Sequence, residues 1–175
     1  KEGISEEKIQ FVGNIMIDTL ESNREKASKL TIFDILKNNL IDGNDFPHST
    51  FDFQLSEFAL MTMHRPSNVD KKEVLEPIIR FLLDEVSTDI EIYWPIHPRT
   101  QKQLQNFALW EEVLSHKKLI LLHPLGYHEM LRLNMDAKIM LTDSGGLQEE
   151  CTIIGAPCMT LRWNTERPIT LRENG

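Results

Sequence analysis

The stretch MLTDSGGLQEECTIIGAPCMTLR, residues 140–162, carries the pattern on which the fold turns. An apolar run ends at Thr142, two glycines stand together at 145 and 146, LQEECTIIG has helical character, and APCMTLR is apolar again. Strand, tight turn, helix and strand make one βαβ unit. The first turn of a helix leaves backbone N–H groups without acceptors, and residues lacking bulk let another group approach them. Two readings follow. The residues close an ordinary turn with Asp143 or Ser144 as N-cap, or they hold a phosphate on free N–H groups at the positive end of the helix dipole, with the Ser144 hydroxyl as a further donor.

Working outward, the same rhythm extends back to residue 57. EFALMTM (57–63), IEIYWPI (90–96), KLILL (118–122) and KIMLT (138–142) read as strands, with APCMTLR (156–162) as a fifth. Between them KKEVLEPIIRFLLDEV (71–86), QKQLQNFALWEEVL (101–114), HEMLRLNM (128–135) and LQEECTIIG (147–155) read as helices. Pro77 weakens the first of these if it falls past the opening turn. The strands are short, nearly continuous apolar runs, which marks a parallel sheet covered on both faces. The fold expected is α/β, a Rossmann-like parallel sheet with helices on both faces. Residues 1–50 differ: a helix-like start, a helical TIFDILKNNL and the turn-rich IDGNDFPHST read as a connector to a principal domain at 51–175.

A chain of 175 residues suits one buried core. It has no apolar run long enough to span a bilayer. A net charge of −8 without a basic cluster argues against a nucleic-acid surface but leaves room for a local basic pocket. Cys151 and Cys158 sit in apolar stretches outside any ligand spacing, so they read as buried hydrophobes in a reducing, cytoplasmic setting. The scattered histidines give no metal pattern, and neither a structural metal nor a cofactor box is expected. An opening Lys1 without a leader-type segment reads as a piece of a longer protein.

In parallel α/β sheets ligands bind beyond the carboxyl ends of the strands. His64, His97, His123 and Ser144 all lie just past the carboxyl end of a predicted strand. His64 can donate to a phosphate or act as acid or base near neutral pH, and Arg65 can reach an anion, unless both belong to an ordinary surface loop. Of Glu149 and Glu150, one carboxylate could accept from a pair of sugar hydroxyls, or both could simply favour the helix dipole. Arg162, Glu166 and Arg167 follow the fifth strand, as a surface ion pair or as part of a loop closing on an anion.

Taken together and in order, GNIMIDTL, HRPSN, PIHP, PLGY, TDSGGLQEE and TERP resemble the motifs of the non-hydrolysing UDP-N-acetylglucosamine 2-epimerases, from about Gly3 to Arg167. The resemblance implies the end of the first and most of the second domain of a GT-B-like fold. The chain would then be cut short within its C-terminal UDP-binding domain. It implies that Ser144, Gly145 and Gly146 hold the diphosphate, that Glu150 takes the ribose hydroxyls, and that His64, as catalytic residue, and Arg65 lie on the phosphate side. Asn68 and His97 would bind substrate, and Glu166 and Arg167 would shape the site. The family inverts C2 of the sugar by eliminating UDP to a glycal and adding it back, using carboxylates of a first domain that this sequence lacks. It suggests a homodimer with UDP-N-acetylglucosamine or UDP as ligand. Ser67 stands where that family usually has Glu, and Met130 where it often has Phe near the uracil. A hydrolysing relative, a GT-B glycosyltransferase and a non-catalytic nucleotide-sugar-binding module are the competing readings.

Overall fold

The computed structural model describes residues 3–10, 12–44, 57–165, 167 and 170. Strands β1 (Phe58–Thr62), β2 (Glu91–Pro95), β3 (Leu119–Leu122), β4 (Ile139–Thr142) and β5 (Cys158–Thr160) form one parallel sheet in the order 3-2-1-4-5. Along each strand successive side chains enter opposite layers. Phe58, Leu60, Tyr93, Ile120, Leu122 and Met140 face one layer, whereas Ala59, Met61, Ile92, Trp94, Leu119, Leu121 and Leu141 face the other. Because both layers are apolar, the period-two pattern is hidden and the strands read as unbroken runs.

Helices α1 (Ile15–Ser28) and α2 (Ile32–Asn39) precede the sheet. The single turn α3 (Pro66–Val69) and α4 (Lys72–Phe81) follow β1; α4 widens into a π-type segment, Leu82–Val86, and ends as α5 (Ser87–Asp89). Helices α6 (Pro98–Asn106) and α7 (Trp110–Ser115) follow β2, α8 (Tyr127–Asp136) follows β3, and α9 (Gly145–Ile154) follows β4. Leu75 and Ile79 of α4, Leu104 of α6 and Val113 of α7 cover one face of the sheet. Ile32, Ile35 and Leu36 of α2, Leu133 of α8 and Cys151 of α9 cover the other. Outside α8 and α9, Leu20 and Ala27 of α1 pack on Leu131, with Ile153 and Ile154 beside them.

After α2 the chain bridges to the outer edge of β3, Leu40 lying antiparallel to Leu122. The side chain of Asn44 donates to the carbonyls of Leu114 and Leu119 and accepts the N–H of Leu121. The expected boundary at residue 50 lies outside the described residues, while α2, on its N-terminal side, is packed into the core.

Two elements differ from the sequence reading. The helix expected over 101–114 is broken after Asn106, where Ala108 takes φ 57° and the Leu109 N–H donates back to Leu104 at 2.8 Å. That reversal drives Leu109 into the core beside Leu104, which a continued helix could not do. Pro77 lies inside α4 rather than in its first turn, yet the helix persists. Pro77 and Glu73 are both exposed, so the carbonyl that loses its N–H partner faces water. Among the described residues no helix is long and apolar enough to cross a membrane.

Candidate functional site

Strands β1 and β4 are neighbours, but the connections leaving them run to opposite sides of the strand order, toward β2 and toward β5. The loops at their carboxyl ends therefore diverge and open a crevice at the switch point. Thr62 and Thr142 face each other across its floor, their hydroxyls 2.7 Å apart. Thr142 Oγ1 also accepts the Ser144 N–H at 3.0 Å, which sets the turn into α9.

Ser144 is the N-cap of α9. Its extended backbone starts the helix, its hydroxyl oxygen accepts from the Leu147 N–H, and its carbonyl accepts from the Gln148 N–H. The N–H groups of Gly145 and Gly146 have no acceptor among the described residues. Ser144 thus caps the helix, as the first reading of the glycine pair has it, and leaves two donors at its positive end. A Cβ on Gly146 would lie 3.2 Å from Cε of Met16 and 3.9 Å from Ser144 Oγ. Met16 comes from the GNIMIDTL segment, whose Asn14 caps α1 by accepting the Met16 N–H.

Across the crevice stands the loop after β1. Its organising group is Asp143, fully buried at the end of β4. The Asp143 carboxylate accepts the His64 N–H at 3.0 Å, the Arg65 N–H at 2.7 Å and the Asn68 side-chain amide at 3.1 Å. His64 Nδ1 lies 3.1 Å from Asp143 Oδ1, and Arg65 Nε donates to the Asp143 carbonyl at 3.2 Å. Burial pushes the Asp143 carboxyl up, but the His64 ring and the Arg65 and His64 N–H groups outweigh it and hold the group below the usual carboxylate range. Asn68 is itself buried and gives a second hydrogen bond to the Leu161 carbonyl, joining this loop to the end of β5.

The loop after β2 braces the same ground. His97 caps α6, its Nδ1 accepting the Arg99 N–H at 3.1 Å, with Pro98 at the first helical position. Arg99 pairs with Asp70 at 2.8 Å, and buried Thr100 donates its hydroxyl to the Met63 carbonyl. The His64 and His97 rings are 5.5 Å apart. Together with Leu125, Met130, Ser144 and Leu147 they line a cleft of ≈ 210 Å³ that is polar at the β1 and β4 loops and apolar toward α8.

Glu149 and Glu150, adjacent in sequence, are separated by the fold. Glu150 is 8% exposed and is influenced by the Tyr127 hydroxyl at the start of α8. Burial pushes its carboxyl above the usual range, and the Tyr127 hydroxyl only partly offsets this. Glu149 instead lies 2.9 Å from Arg167 Nε. The Thr165 hydroxyl donates to Gln148 Oε1 at 2.8 Å and accepts the Arg167 N–H at 2.9 Å, so the TERP segment is tied to α9 at two points.

The structure gathers His64, Arg65, Asn68, His97, Ser144, Gly145 and Gly146 at one edge of the sheet, with Glu150 further along α9 and Arg167 reaching α9 through Glu149. Glu166 lies outside the described residues. Asp143 is legible in the sequence only as a candidate cap. A lone Asp between an apolar strand and a glycine pair is its one signal, and the partners that explain it lie 75 to 79 residues away. Tyr127, Gln148 and Thr165 carry none of their own.

A family model described as UDP-N-acetylglucosamine 2-epimerase matches residues 1–175. The UDP-N-acetylglucosamine 2-epimerase of Methanocaldococcus jannaschii is 40% identical over 172 residues, 98% of this chain and 44% of that protein. Its counterpart in Methanococcus maripaludis is 39% identical, over 99% of this chain and 44% of that protein. Among solved structures, the M. jannaschii enzyme in complex with UDP-GlcNAc and UDP superposes with a TM-score of 0.79, covering 97% of this chain and 43% of that one. The Neisseria meningitidis enzyme bound to UDP-GlcNAc, 28% identical, gives 0.70 over 97% of this chain and 42% of that one. The chain thus spans less than half the length of these relatives.

Proposed function

Since the chain belongs to the UDP-N-acetylglucosamine 2-epimerase family, we propose that its switch-point crevice binds the UDP part of a UDP-sugar. The whole protein then interconverts UDP-N-acetylglucosamine and UDP-N-acetylmannosamine. The observation that carries this reading is the juxtaposition of the Gly145 and Gly146 N–H groups, which have no acceptor among the described residues, with His64 and Arg65, held opposite them by Asp143. Two N–H donors at a helix N-terminus, an imidazole and a guanidinium suit a diphosphate. Leu125, Met130 and Leu147 offer an apolar seat for the base, and Glu150 is an acceptor for ribose hydroxyls. Asn68 supports the site by bracing its loops, and Glu166 and Arg167 shape it from the TERP segment.

In this reaction the C2 proton is removed as the bond from C1 to the diphosphate oxygen breaks, giving a glycal and UDP. Returning the proton to the opposite face of C2 and the diphosphate to C1 yields the epimer. The part this chain supplies is a preorganised set of donors for the negative charge that gathers on the departing diphosphate. The acid and base that act at C2 and C3 belong, in this reading, to a first domain, so the chain alone binds UDP without turnover. The whole protein is a cytoplasmic, non-hydrolysing epimerase, active as a homodimer, with neither nucleic acid nor membrane as partner.

Calorimetry with UDP tests the site, and the absence of heat at about millimolar ligand, where affinities near −4 kcal/mol become visible, would refute it. Product analysis of the whole protein with UDP-N-acetylglucosamine and no acceptor tests the reaction. A 2-epimer still attached to UDP supports the reading; free N-acetylmannosamine indicates hydrolysis, and no product points to a glycosyltransferase or a binding module. Light scattering of the whole protein checks the dimer.

A further inference from the structure

We propose that Asp143 is a positioning residue whose buried carboxylate fixes the proton of His64 on Nδ1 and so leaves Nε2 as the atom presented to the crevice. An ionised carboxylate only accepts hydrogen bonds. With Oδ1 3.1 Å from His64 Nδ1 and the carboxylate fully buried, a hydrogen on Nδ1 is attracted to Oδ1, whereas a lone pair there would face the carboxylate's negative charge. The carboxylate cannot swing away, because the His64 and Arg65 backbone N–H groups and the Asn68 amide hold it from the same loop. Nε2, on the far side of the ring, is thereby the nitrogen that accepts a proton. Once protonated, it donates toward an anion while Asp143 compensates the imidazolium from the interior.

Two anchors make this arrangement rigid rather than incidental. Thr100 ties the Met63 carbonyl immediately before His64, and Asn68, four residues after it, ties the loop to Leu161. The loop that carries His64 is therefore anchored on both sides of it, with Asp143 Oδ1 beside the ring's Nδ1. An asparagine at 143 has one acceptor oxygen for these donors, and its own NH₂ would face at least one of them. Relief is obtained by turning the carboxamide so that its NH₂ faces His64 Nδ1, which must then lose its hydrogen. The consequence of Asp143→Asn is a switch of His64 to the Nε2–H tautomer.

The proposal rests on the UDP reading for the identity of the anion but not for the state of the ring, and the experiment separates the two. In long-range ¹H–¹⁵N spectra of this chain at about pH 9, above the ordinary imidazole range, His64 is assigned by loss of its signals in His64→Ala. The expected wild-type pattern is a protonated Nδ1 and an unprotonated Nε2, reversed in Asp143→Asn. A wild-type ring protonated mainly on Nε2 overturns the proposal, and needs no variant at 143 to fold. UDP titrations of wild type, Asp143→Asn, His64→Ala and the double variant give the second readout. Asp143→Asn should weaken binding about tenfold when His64 is present, the scale of one charge-assisted hydrogen bond, and less than about twofold in the His64→Ala background. An equal loss in both backgrounds overturns the proposal, since a merely structural carboxylate would act without His64. If the wild type binds no UDP, the functional reading fails, and the ring spectrum still decides whether Asp143 sets the tautomer.

Discussion

Gly146→Ala should make the protein slightly more stable and a worse ligand for UDP. At a helical position alanine is favoured over glycine by about 1 kcal/mol. The added methyl would meet Met16 Cε at 3.2 Å, closer than comfortable, but Met16 Cε is the free end of an unbranched side chain and can yield for a few tenths of a kcal/mol. The net expectation is a gain of about 0.5 kcal/mol, or about 1–2 °C in Tm for a chain of this size. Helical Cβ atoms tilt toward the N-terminus, so the same methyl projects into the space an anion needs above the Gly145 and Gly146 N–H groups. Displacing one charge-assisted hydrogen bond of about 1.4 kcal/mol should weaken UDP about tenfold. Uridine, which lacks the phosphates, should be unaffected. Thermal melts and parallel titrations of UDP and uridine read all three quantities. Unchanged UDP affinity in a folded Gly146→Ala protein would refute the glycine cradle, and an equal loss for uridine would move the damage from the phosphates to the base.

Ala108→Gly should stabilise the chain by about 1 kcal/mol, because φ 57° strains an alanine and suits a glycine; urea unfolding checks it, and a loss of stability would refute the strain argument. For Glu150, whose folded carboxyl sits above its unfolded value through burial, the native state is favoured below the unfolded pKa, and that advantage is lost as pH rises through the folded pKa. Glu150→Gln should therefore gain stability relative to wild type from mildly acidic to neutral pH while losing UDP affinity, as denaturant melts across that range and titrations will show. Thr165→Val removes the hydroxyl on Gln148 and Arg167 and should cost about 1 kcal/mol. It should also speed proteolysis between residues 162 and 170, and unchanged cleavage there would show that the tether does not hold the segment.

The rhythm of strands and helices was legible because each strand is apolar on both faces and each crossover is bounded by turn residues. The sheet edge at which the site gathers followed from the same rhythm. What escaped the sequence was set by partners distant along the chain. Nothing local distinguishes Glu149 from Glu150; only Arg167 and Tyr127 tell them apart. Asp143 looks like a helix cap until the loop after β1 folds onto it. The break at Ala108 was hidden because alanine is the strongest helix former, and burial of Leu109 overrides that preference. The role of residues 40–44 was hidden for the opposite reason, since a turn-rich stretch shows no sign of the edge it will meet.

That last contact bears on the edge of the sheet. An outermost strand with free N–H and C=O groups is a template for another chain. On β3 and just past it, the Ile41 N–H donates to the Leu121 carbonyl, the Asn39 carbonyl accepts the His123 N–H, and the Asn44 amide takes up the Leu119 carbonyl and the Leu121 N–H. At the opposite end of the sheet β5 is only three residues long. Lateral growth of the sheet is thus discouraged at one border by occupation and at the other by brevity, so a segment that reads as a mere connector is a guard against strand-to-strand pairing at that edge.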